Sequence, residues 1–241
     1  MLAKLVSRLR EFGLADGLFY LFDRALLRLA GRHLLFRYAF VAQPVPRQPL
    51  LPAHRGRNLE IRRLESGDPA LGALEVEERV ARHRFGQGAV CFGVFKAGRP
   101  IGCIWPCLGP FEEDEVRCRY EPEPPGKASW DLGVYLLPEE RGGIAFARLW
   151  DAANAYLASH GIAWTLSRIS VANQRSLTAH LRLGARRIGT ATYLVLGRLQ
   201  LMVASTPPGF HCALSPTSRP TLRLHAPEDN PSIPVSVSSG T

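Results

Sequence analysis

No run of apolar residues in this sequence is long enough to cross a bilayer, which takes roughly 20 residues in a helix. Charges interrupt the N-terminal segment MLAKLVSRLREFGLADGLFYLFDRALLRLAGRH throughout. The segment also lacks the clean apolar core and the small-residue cleavage site of a signal peptide. We therefore expect a cytoplasmic protein, either free or peripheral to a membrane.

Cysteine is scarce and irregularly spaced, since the 241-residue chain has five, an odd number. Cys103 and Cys107 are four residues apart, but they lie in an apolar run that predicts a strand. The sequence thus predicts neither a disulfide framework nor a zinc site. We expect reduced thiols and no metal cofactor.

Acidic residues are fewer than basic ones, 21 against 30, which leaves a formal net charge of +9. An excess of this size favours an anionic partner, such as nucleic acid, an acidic membrane surface or a phosphate-bearing cofactor. The basic residues are dispersed and no nucleic-acid recognition motif accompanies them. We therefore predict no nucleic-acid partner.

Composition divides the chain into four regions. We predict a basic amphipathic helical extension over residues 1–41, which ends in the extended stretch LLFRYAFVA. Residues 42–57 contain four prolines and predict a linker. Residues 58–204 have the patterns of a compact domain. Residues 205–241 are rich in Pro, Ser and Thr without periodicity, which predicts a disordered tail.

Strand and helix patterns alternate within residues 58–204. The segments NLEIRRL, ASWDLGVYLL, IAWTLSRIS and TATYLVLGRLQLMV predict strands, and GAVCFGVFKAGRPIGCIWPCL predicts a hairpin that turns at KAGRP. PALGALEVEERVARHRF and FARLWDAANAYLASHG predict helices, of which Gly161 closes the second. This order predicts an α/β fold in which helices flank a mixed, mostly antiparallel sheet.

The segment LLPEERGGIAFARL, residues 136–149, runs from a predicted strand through a glycine pair into a helix. Gly142 and Gly143 let a ligand approach the backbone amides at the helix start closely. Those amides, together with the positive helix end, form an anion site suited to a pyrophosphate, and Arg141 adds a cation. A turn that serves only packing is the alternative. No Gly-Lys-Ser/Thr follows, so the segment is not a Walker loop.

A second constellation follows one strand later, in VANQRSLTAHLRLGARR, residues 171–187. Asn173, Ser176, His180 and Gly184 are spaced by three, four and four residues, which places them near one face of a helix. An imidazole titrates near neutral pH, so His180 on such a face is a candidate acid. A histidine held by a structural hydrogen bond is the alternative.

Together the two segments resemble the GNAT (Gcn5-related) N-acyltransferase superfamily over about residues 58–204. Its loop signature is Gln/Arg-x-x-Gly-x-Gly/Ala, and Gly143 and Ala145 match the last two positions. The first position here is Glu140, and the arginine is displaced to Arg141.

The helix of that family follows Asn-x-x-Ala/Ser-x-x-x-Tyr-x-x-x-Gly-Phe. Asn173, Ser176 and Gly184 match it. His180 replaces the tyrosine, as in the phosphinothricin-acetyltransferase-like branch, and Ala185 replaces the aromatic residue.

The resemblance implies a co-substrate, acetyl-CoA or another acyl-CoA, and no metal. It implies that Asn173 and Ser176 bind the pantetheine arm and that His180 protonates the departing thiolate. It also implies that the pyrophosphate contacts the strand end and the loop. Those contact residues are Leu136, Leu137, Arg141, Gly142, Gly143, Ile144 and Ala145.

The acceptor must reach the thioester as a neutral amine, which requires a base. Asp131, on the strand that leads into the loop, is the candidate, with a structural carboxylate as the alternative. A cluster on the early helix (Glu75, Glu77, Glu78 and His83) either lines the acceptor side or forms a solvated face. The acidic stretch GPFEEDEVRCRYEPEPPGKAS either attracts a cationic amine or forms a solvated flap.

We therefore predict an enzyme that transfers an acetyl or other acyl group from acyl-CoA to the amine of a small molecule or an amino sugar. Alternatives are an acyl-carrier-protein donor, an amino-sugar acceptor in envelope synthesis, and a non-catalytic CoA-binding or membrane-associated subunit. The basic N-terminal region, residues 1–40, either packs on the domain, forms a homodimer contact, docks an acidic carrier protein or lies on an anionic membrane.

Overall fold

The computed structural model describes residues 14–228, which contain five α-helices and twelve β-strands. The helices are α1 (Leu14–Ala30), α2 (Pro69–Ala73), α3 (Glu78–Gly86), α4 (Ala145–Ser159) and α5 (Gln174–Arg182). The strands are β1 (Leu35–Pro44), β2 (Leu59–Leu64), β3 (Cys91–Lys96), β4 (Arg99–Cys107), β5 (Phe111–Glu112), β6 (Arg119–Glu123), β7 (Ala128–Leu136), β8 (Trp164–Ser170), β9 (Arg186–Leu196), β10 (Leu199–Ala204), β11 (Phe210–Ala213) and β12 (Thr221–His225).

The described chain divides into two compact units that interleave along the sequence. The first unit contains residues 14–43, 112–121 and 168–224, and the second contains residues 44–111, 122–167 and 225–228. The residues of strand β8 are shared, because Trp164–Ser167 belongs to the second unit and the rest of the strand to the first. Among the described residues, no helix is both long and apolar enough to span a membrane.

The first unit is built on a sheet with the strand order β11-β10-β9-β1, in which the paired strands are antiparallel. Side chains alternate between the two faces of such strands. Tyr38, Phe40, Tyr193 and Met202 share the buried face and are at most 2% exposed. The ring of Tyr120, from β6, packs on Phe40 with 5.5 Å between centroids. This aromatic layer is the core of the unit.

The second unit has the strand order β8-β7-β4-β3-β2, with a parallel β7–β8 pair and otherwise antiparallel pairs. Helix α4 packs against β2, β3, β4 and β7. Its buried side chains include Leu149, Ala153 and Leu157, spaced by four residues on one helix face. At Gly102 a Cβ atom would lie 2.5 Å from the Tyr135 carbonyl oxygen, so only glycine permits β4 and β7 to approach this closely.

The predicted α/β fold, a mixed and mostly antiparallel sheet flanked by helices, is confirmed. The predicted β3–β4 hairpin is also present and turns through Ala97 and Gly98, both at positive φ. The strand predicted at residues 128–136 and the helix that begins near Ala145 are found as expected.

Two predicted single elements are each divided in the structure. The helix predicted for PALGALEVEERVARHRF is α2 and α3, because Glu75 takes a positive φ of 56° that interrupts the helix. The last strand, TATYLVLGRLQLMV, is β9 and β10, which turn at Gly197 with a φ of 60°. Patterns of apolar residues continue through both breaks, so they conceal these short turns.

The predicted disordered tail is wrong for its first half. Phe210–Ala213 pairs with β10, and Thr221–His225 joins β6 in a small sheet. Leu222 and Leu224 are fully buried. Their burial stabilises this segment, although its Pro- and Ser-rich composition predicts disorder. Residues 1–13 of the predicted extension and 229–241 of the tail lie outside the described residues.

The predicted linker over residues 42–57 is also shorter than expected, since β1 continues through Pro44. Val41 and Ala42 are fully buried in the chain segment where the linker was predicted to begin. Backbone pairing with β9 reaches Ala42, so this end of the segment is part of the sheet.

Candidate functional site

The connection from β7 to α4 ends in a helix start that has no side-chain cap. A short 3₁₀ turn, Pro138–Glu140, follows the strand, and Gly142 takes a φ of 83° that L side chains rarely adopt. Ile144 occupies the cap position, and its apolar side chain cannot accept a hydrogen bond. The first amides of α4 are therefore directed outward as donors at the positive end of the helix.

Gly143 is a glycine for which the protein's own packing gives no reason. Its φ lies outside the positive region, and a Cβ atom there would make only an ordinary contact, 3.6 Å from the Glu140 carbonyl oxygen. If Gly143 were required for packing alone, neighbouring atoms would occupy the space where a side chain would lie. The absence of a side chain instead leaves the helix start open to an approaching group.

The carboxylates beside this loop are paired with cations. Glu140, which stands where the GNAT pattern has Gln or Arg, lies 2.9 Å from the Lys96 Nζ atom. Glu139 lies 3.4 Å from an Arg99 guanidinium nitrogen. The pairing reduces the repulsion that these two acids would exert on an anion at the helix start.

Arg141 and the end of β7 form hydrogen bonds within the protein. The Arg141 Nε atom donates to the Leu136 carbonyl oxygen over 3.0 Å. The Leu137 amide donates to the Ile101 carbonyl oxygen over 3.0 Å, and the Leu136 side chain is buried. Ala145 is also buried, so its contribution to a ligand site would come from its backbone.

A cavity of about 430 Å³ lies beside β4, β7 and α3 in the same unit. Its lining is mostly apolar and aromatic, with two carboxylates and one guanidinium. The lining residues are Leu74, Glu75, Val76, Glu77, Val80, Arg84, Cys103, Trp105, Leu132, Gly133, Val134 and Tyr135. The volume suits a small organic molecule.

Strand β7 bulges at this cavity. The pairing register shifts between Ile104 and Pro106, so Leu132 and Gly133 together face a single residue of β4. Gly133 has a φ of 133°, a conformation that glycine adopts readily. A bulge of this kind removes backbone groups from the ladder and re-aims them at a neighbouring space.

Asp131 lies at the edge of the bulge and is 3% exposed. Its Oδ1 atom accepts a hydrogen bond from the Gly133 amide over 2.9 Å. Burial raises the pKa of Asp131 to about 7, although the Gly133 amide and the Arg84 charge oppose that rise. A carboxyl with this pKa can take up and release a proton near neutral pH.

The early-helix cluster divides into two groups. Glu75 and Glu77 line the cavity. Glu78 instead lies 3.6 Å from Arg82 on the exposed side of α3. The His83 Nε2 atom lies 2.8 Å from the Gln87 amide nitrogen. Neither Glu78 nor His83 lines the cavity.

Among the lining residues that the sequence did not identify are Arg84 and Trp105. The Arg84 guanidinium lies over the Trp105 ring, 5.2 Å from its centroid. A signal was available, since Arg84 follows the apolar Val80 by one helical turn and so shares its face. The strand pattern that placed Trp105 in the core did not show that its ring borders a cavity.

Helix α5, in the first unit, is capped by Asn173, whose Oδ1 atom accepts from the Ser176 amide over 3.2 Å. Leu177 is buried in an apolar cluster with Val41 and Ile169. The asparagine side chain is therefore already used in starting the helix.

His180 is 4% exposed, and its Nδ1 atom lies 3.0 Å from the Gln43 Oε1 atom. Burial lowers the pKa of His180 to about 4, so the ring is neutral at pH 7. An acid that protonates a thiolate would need the imidazolium form, which this burial disfavours.

The predicted site residues are thus distributed over both units. The loop residues, Asp131 and the cavity belong to the second unit. Asn173, Ser176 and His180 belong to the first. Among residues 14–228, no cluster of three His, Cys, Asp or Glu side chains could hold a metal ion.

The expectation that the acidic stretch is a solvated flap is wrong at Glu113. That side chain is 5% exposed and forms a two-point ion pair with Arg168, in which NH2 lies 2.7 Å from Oε1. Burial, the largest single effect, would raise the pKa of Glu113, but the Arg168 charge and the hydrogen bonds from Arg168 and Asp114 together outweigh it and lower the pKa to about 2. Glu113 therefore anchors its segment within the first unit.

No protein-family model and no curated protein sequence matches the chain. Several solved structures are similar to it at low identity. A GNAT-family acetyltransferase from Novosphingobium aromaticivorans is 18% identical, with a TM-score of 0.45, and the match covers 66% of this chain and 62% of that one. A tandem GNAT protein from the clavulanic acid biosynthesis pathway is 15% identical, with a TM-score of 0.48 and coverages of 68% and 55%.

An aminoglycoside N-acetyltransferase, AAC(6')-Iy in complex with CoA, is 17% identical, with a TM-score of 0.41. That match covers 52% of this chain and 90% of the other. The fold and the candidate site are therefore argued from the residues of this chain.

Proposed function

We propose that the protein is a GNAT-type N-acyltransferase that moves an acyl group from acyl-CoA to a primary amine. One observation carries the proposal. The strand that bears the buried Asp131 and borders the cavity leads directly into the uncapped, glycine-opened start of α4. The same stretch of chain therefore contributes both to an anion site and to a site for an organic amine.

The start of α4 would bind the pyrophosphate of acyl-CoA. Its outward amides donate to phosphate oxygens, and the helix dipole favours their negative charge. Gly143 allows the phosphate to approach the backbone, and Arg141 adds a cation. Lys96 supports this role indirectly, because it neutralises Glu140 beside the loop.

The β7 bulge would orient the thioester. The bulge takes Leu132 out of the regular ladder, and we assign its amide to the thioester carbonyl oxygen. A donor held by the strand is already in place before the reaction, so it stabilises the negative charge that develops on that oxygen. Positioning of the two substrates supplies the remainder of the rate enhancement.

Asp131 would act as the base, directly or through a water molecule. It accepts the proton that the ammonium loses, which frees the nitrogen lone pair to attack the thioester carbonyl carbon. The C–N bond forms, and the nitrogen, now cationic, releases its second proton to solvent. The C–S bond breaks, and the thiolate leaves and takes a proton from solvent. Since His180 is neutral at pH 7, we assign it no proton transfer. Its role is to hold the Gln43 side chain in place through their hydrogen bond.

The cavity would bind the acceptor. Glu75 and Glu77 place two carboxylates on a mostly apolar lining, which favours an amine that carries positive charge on an apolar or sugar body. Arg84, on Trp105, raises the local positive potential and so favours the neutral form of the reacting nitrogen.

Isothermal titration of the protein with acetyl-CoA and with longer acyl-CoAs tests the donor site. We expect binding in the wild type and loss of about tenfold or more in affinity in Gly143→Asp, whose carboxylate would occupy the anion site. Gly109→Asp is the matched control, because Gly109 faces open space and the substitution adds the same charge away from the loop. Absence of binding to every acyl-CoA, or equal loss in both variants, would overturn the donor site.

A further inference from the structure

Helix α1, in the first unit, exposes large apolar side chains. Phe22 is 60% exposed and Leu29 is 85% exposed. Seven residues separate them, which places them two turns apart on one helix face. Ala25, which is exposed, and Leu26, which is half-buried, lie between them on the same side, so the apolar surface is continuous and marks an interaction site.

Arginines lie on the side of the helix that is turned away from this apolar face, and one more follows the helix end. Arg24, Arg28 and Arg32 are exposed and follow one another at intervals of four residues. Asp23, the acidic residue at the centre of the helix, lies 3.2 Å from His33, so its charge is directed at that side chain. The helix therefore has an apolar face on one side and a cationic polar face on the other, the pattern of helices that lie in a membrane interface.

We propose that α1 binds in the plane of an anionic lipid membrane. Phe22 and Leu29 would enter the boundary between headgroups and acyl chains, and the arginines would contact lipid phosphates. Charge complementarity favours this partner over a second copy of the chain. A symmetric contact would place two basic helices side by side with no anionic surface to compensate their charge.

The proposal is independent of the acyl-transfer function, since it involves no residue of the loop or the cavity.

The proposal is tested by flotation of the full chain with vesicles of phosphatidylcholine alone and of phosphatidylcholine mixed with phosphatidylglycerol. We expect binding to the mixed vesicles alone, and weakening of that binding as salt is added. Phe22→Ser with Leu29→Ser should reduce the affinity about tenfold or more.

Arg24→Gln with Arg28→Gln should also reduce the affinity about tenfold, and it should lessen the salt dependence. Arg47→Gln with Arg55→Gln is the matched control, because it removes two exposed arginines of the second unit and should leave binding unchanged. Thermal unfolding of the Phe22 and Leu29 variant should match the wild type, since both side chains are already exposed.

Three results would overturn the proposal. The first is equal binding to neutral and anionic vesicles, and the second is an equal loss in the control variant. The third is no vesicle binding together with a dimer in light scattering that Phe22→Ser and Leu29→Ser convert to a monomer. That last result would assign the surface to a second copy of this chain.

Discussion

At the scale of single residues, Asp131 and His180 are buried titratable side chains that contribute to stability in opposite ways. The pKa of each depends on what packs around the side chain in three dimensions. Burial moves the two groups in opposite senses, since it raises the pKa of Asp131 to about 7 and lowers that of His180 to about 4. Each shift has a consequence for stability.

Asp131 should make the protein less stable as the pH rises. The folded state holds a proton on this carboxyl up to about pH 7, whereas an unfolded Asp releases it near pH 3.9. The contribution is therefore complete below about pH 4 and is lost, by about 4 kcal/mol, as the pH rises to about 7. Urea unfolding across this range should show that loss in the wild type and not in Asp131→Asn.

His180 should act in the opposite sense. Its folded-state pKa of about 4 lies below the usual 6.5, so its contribution is complete above about pH 6.5 and is lost as the pH falls through about 4. The expected loss is about 3 kcal/mol. In His180→Gln, the free energy of unfolding should lose this rise with pH, whatever its absolute value. A rise identical to that of the wild type would contradict the buried neutral ring.

At the scale of elements, the β7–α4 loop was predictable because its signal is local. A strand pattern, two glycines and a helix pattern follow in order, and the structure places them as expected. The Glu113–Arg168 ion pair was not predictable in this way. Its members lie 55 residues apart, and an acidic run has the same composition whether its carboxylates are solvated or paired.

The two glycines of the loop should differ in what they tolerate. Gly142→Ala forces a Cβ into a φ of 83°, so it should lower the free energy of unfolding by about 1 kcal/mol. Gly143→Ala meets neither a positive φ nor a close neighbour, and it should leave stability within about 0.5 kcal/mol of the wild type. Chemical denaturation of the two variants compares them directly, and equal losses would refute the assignment.

The Asn173 cap offers a test at the start of α5. Asn173→Ala removes the acceptor of the Ser176 amide and should cost about 1 kcal/mol in stability. Asn173→Asp keeps an acceptor oxygen and should retain most of that stability. If the alanine and aspartate variants unfold at the same denaturant concentration, the cap does not stabilise the helix, and a ligand contact is the remaining role for the side chain.

At the scale of the whole molecule, the fold class followed from the order of patterns, but the extent of the ordered chain did not. The composition of residues 205–241 predicts disorder, yet β11 and β12 find partners far away in sequence, where Leu222 and Leu224 become buried. The N-terminal strand β1 likewise pairs with β9, about 150 residues later. Long-range pairing of this kind leaves no local signature.

The central claim, acyl transfer to an amine with Asp131 as the base, is tested most directly by measuring free thiol released from acyl-CoA. The protein would be incubated with acyl-CoA and a panel of cationic and amino-sugar primary amines across a pH series. We predict thiol release that requires an amine, rises with pH to a plateau above about pH 7, and falls about 100-fold or more in Asp131→Asn. Binding of acyl-CoA without amine-dependent thiol release at any pH would contradict the account.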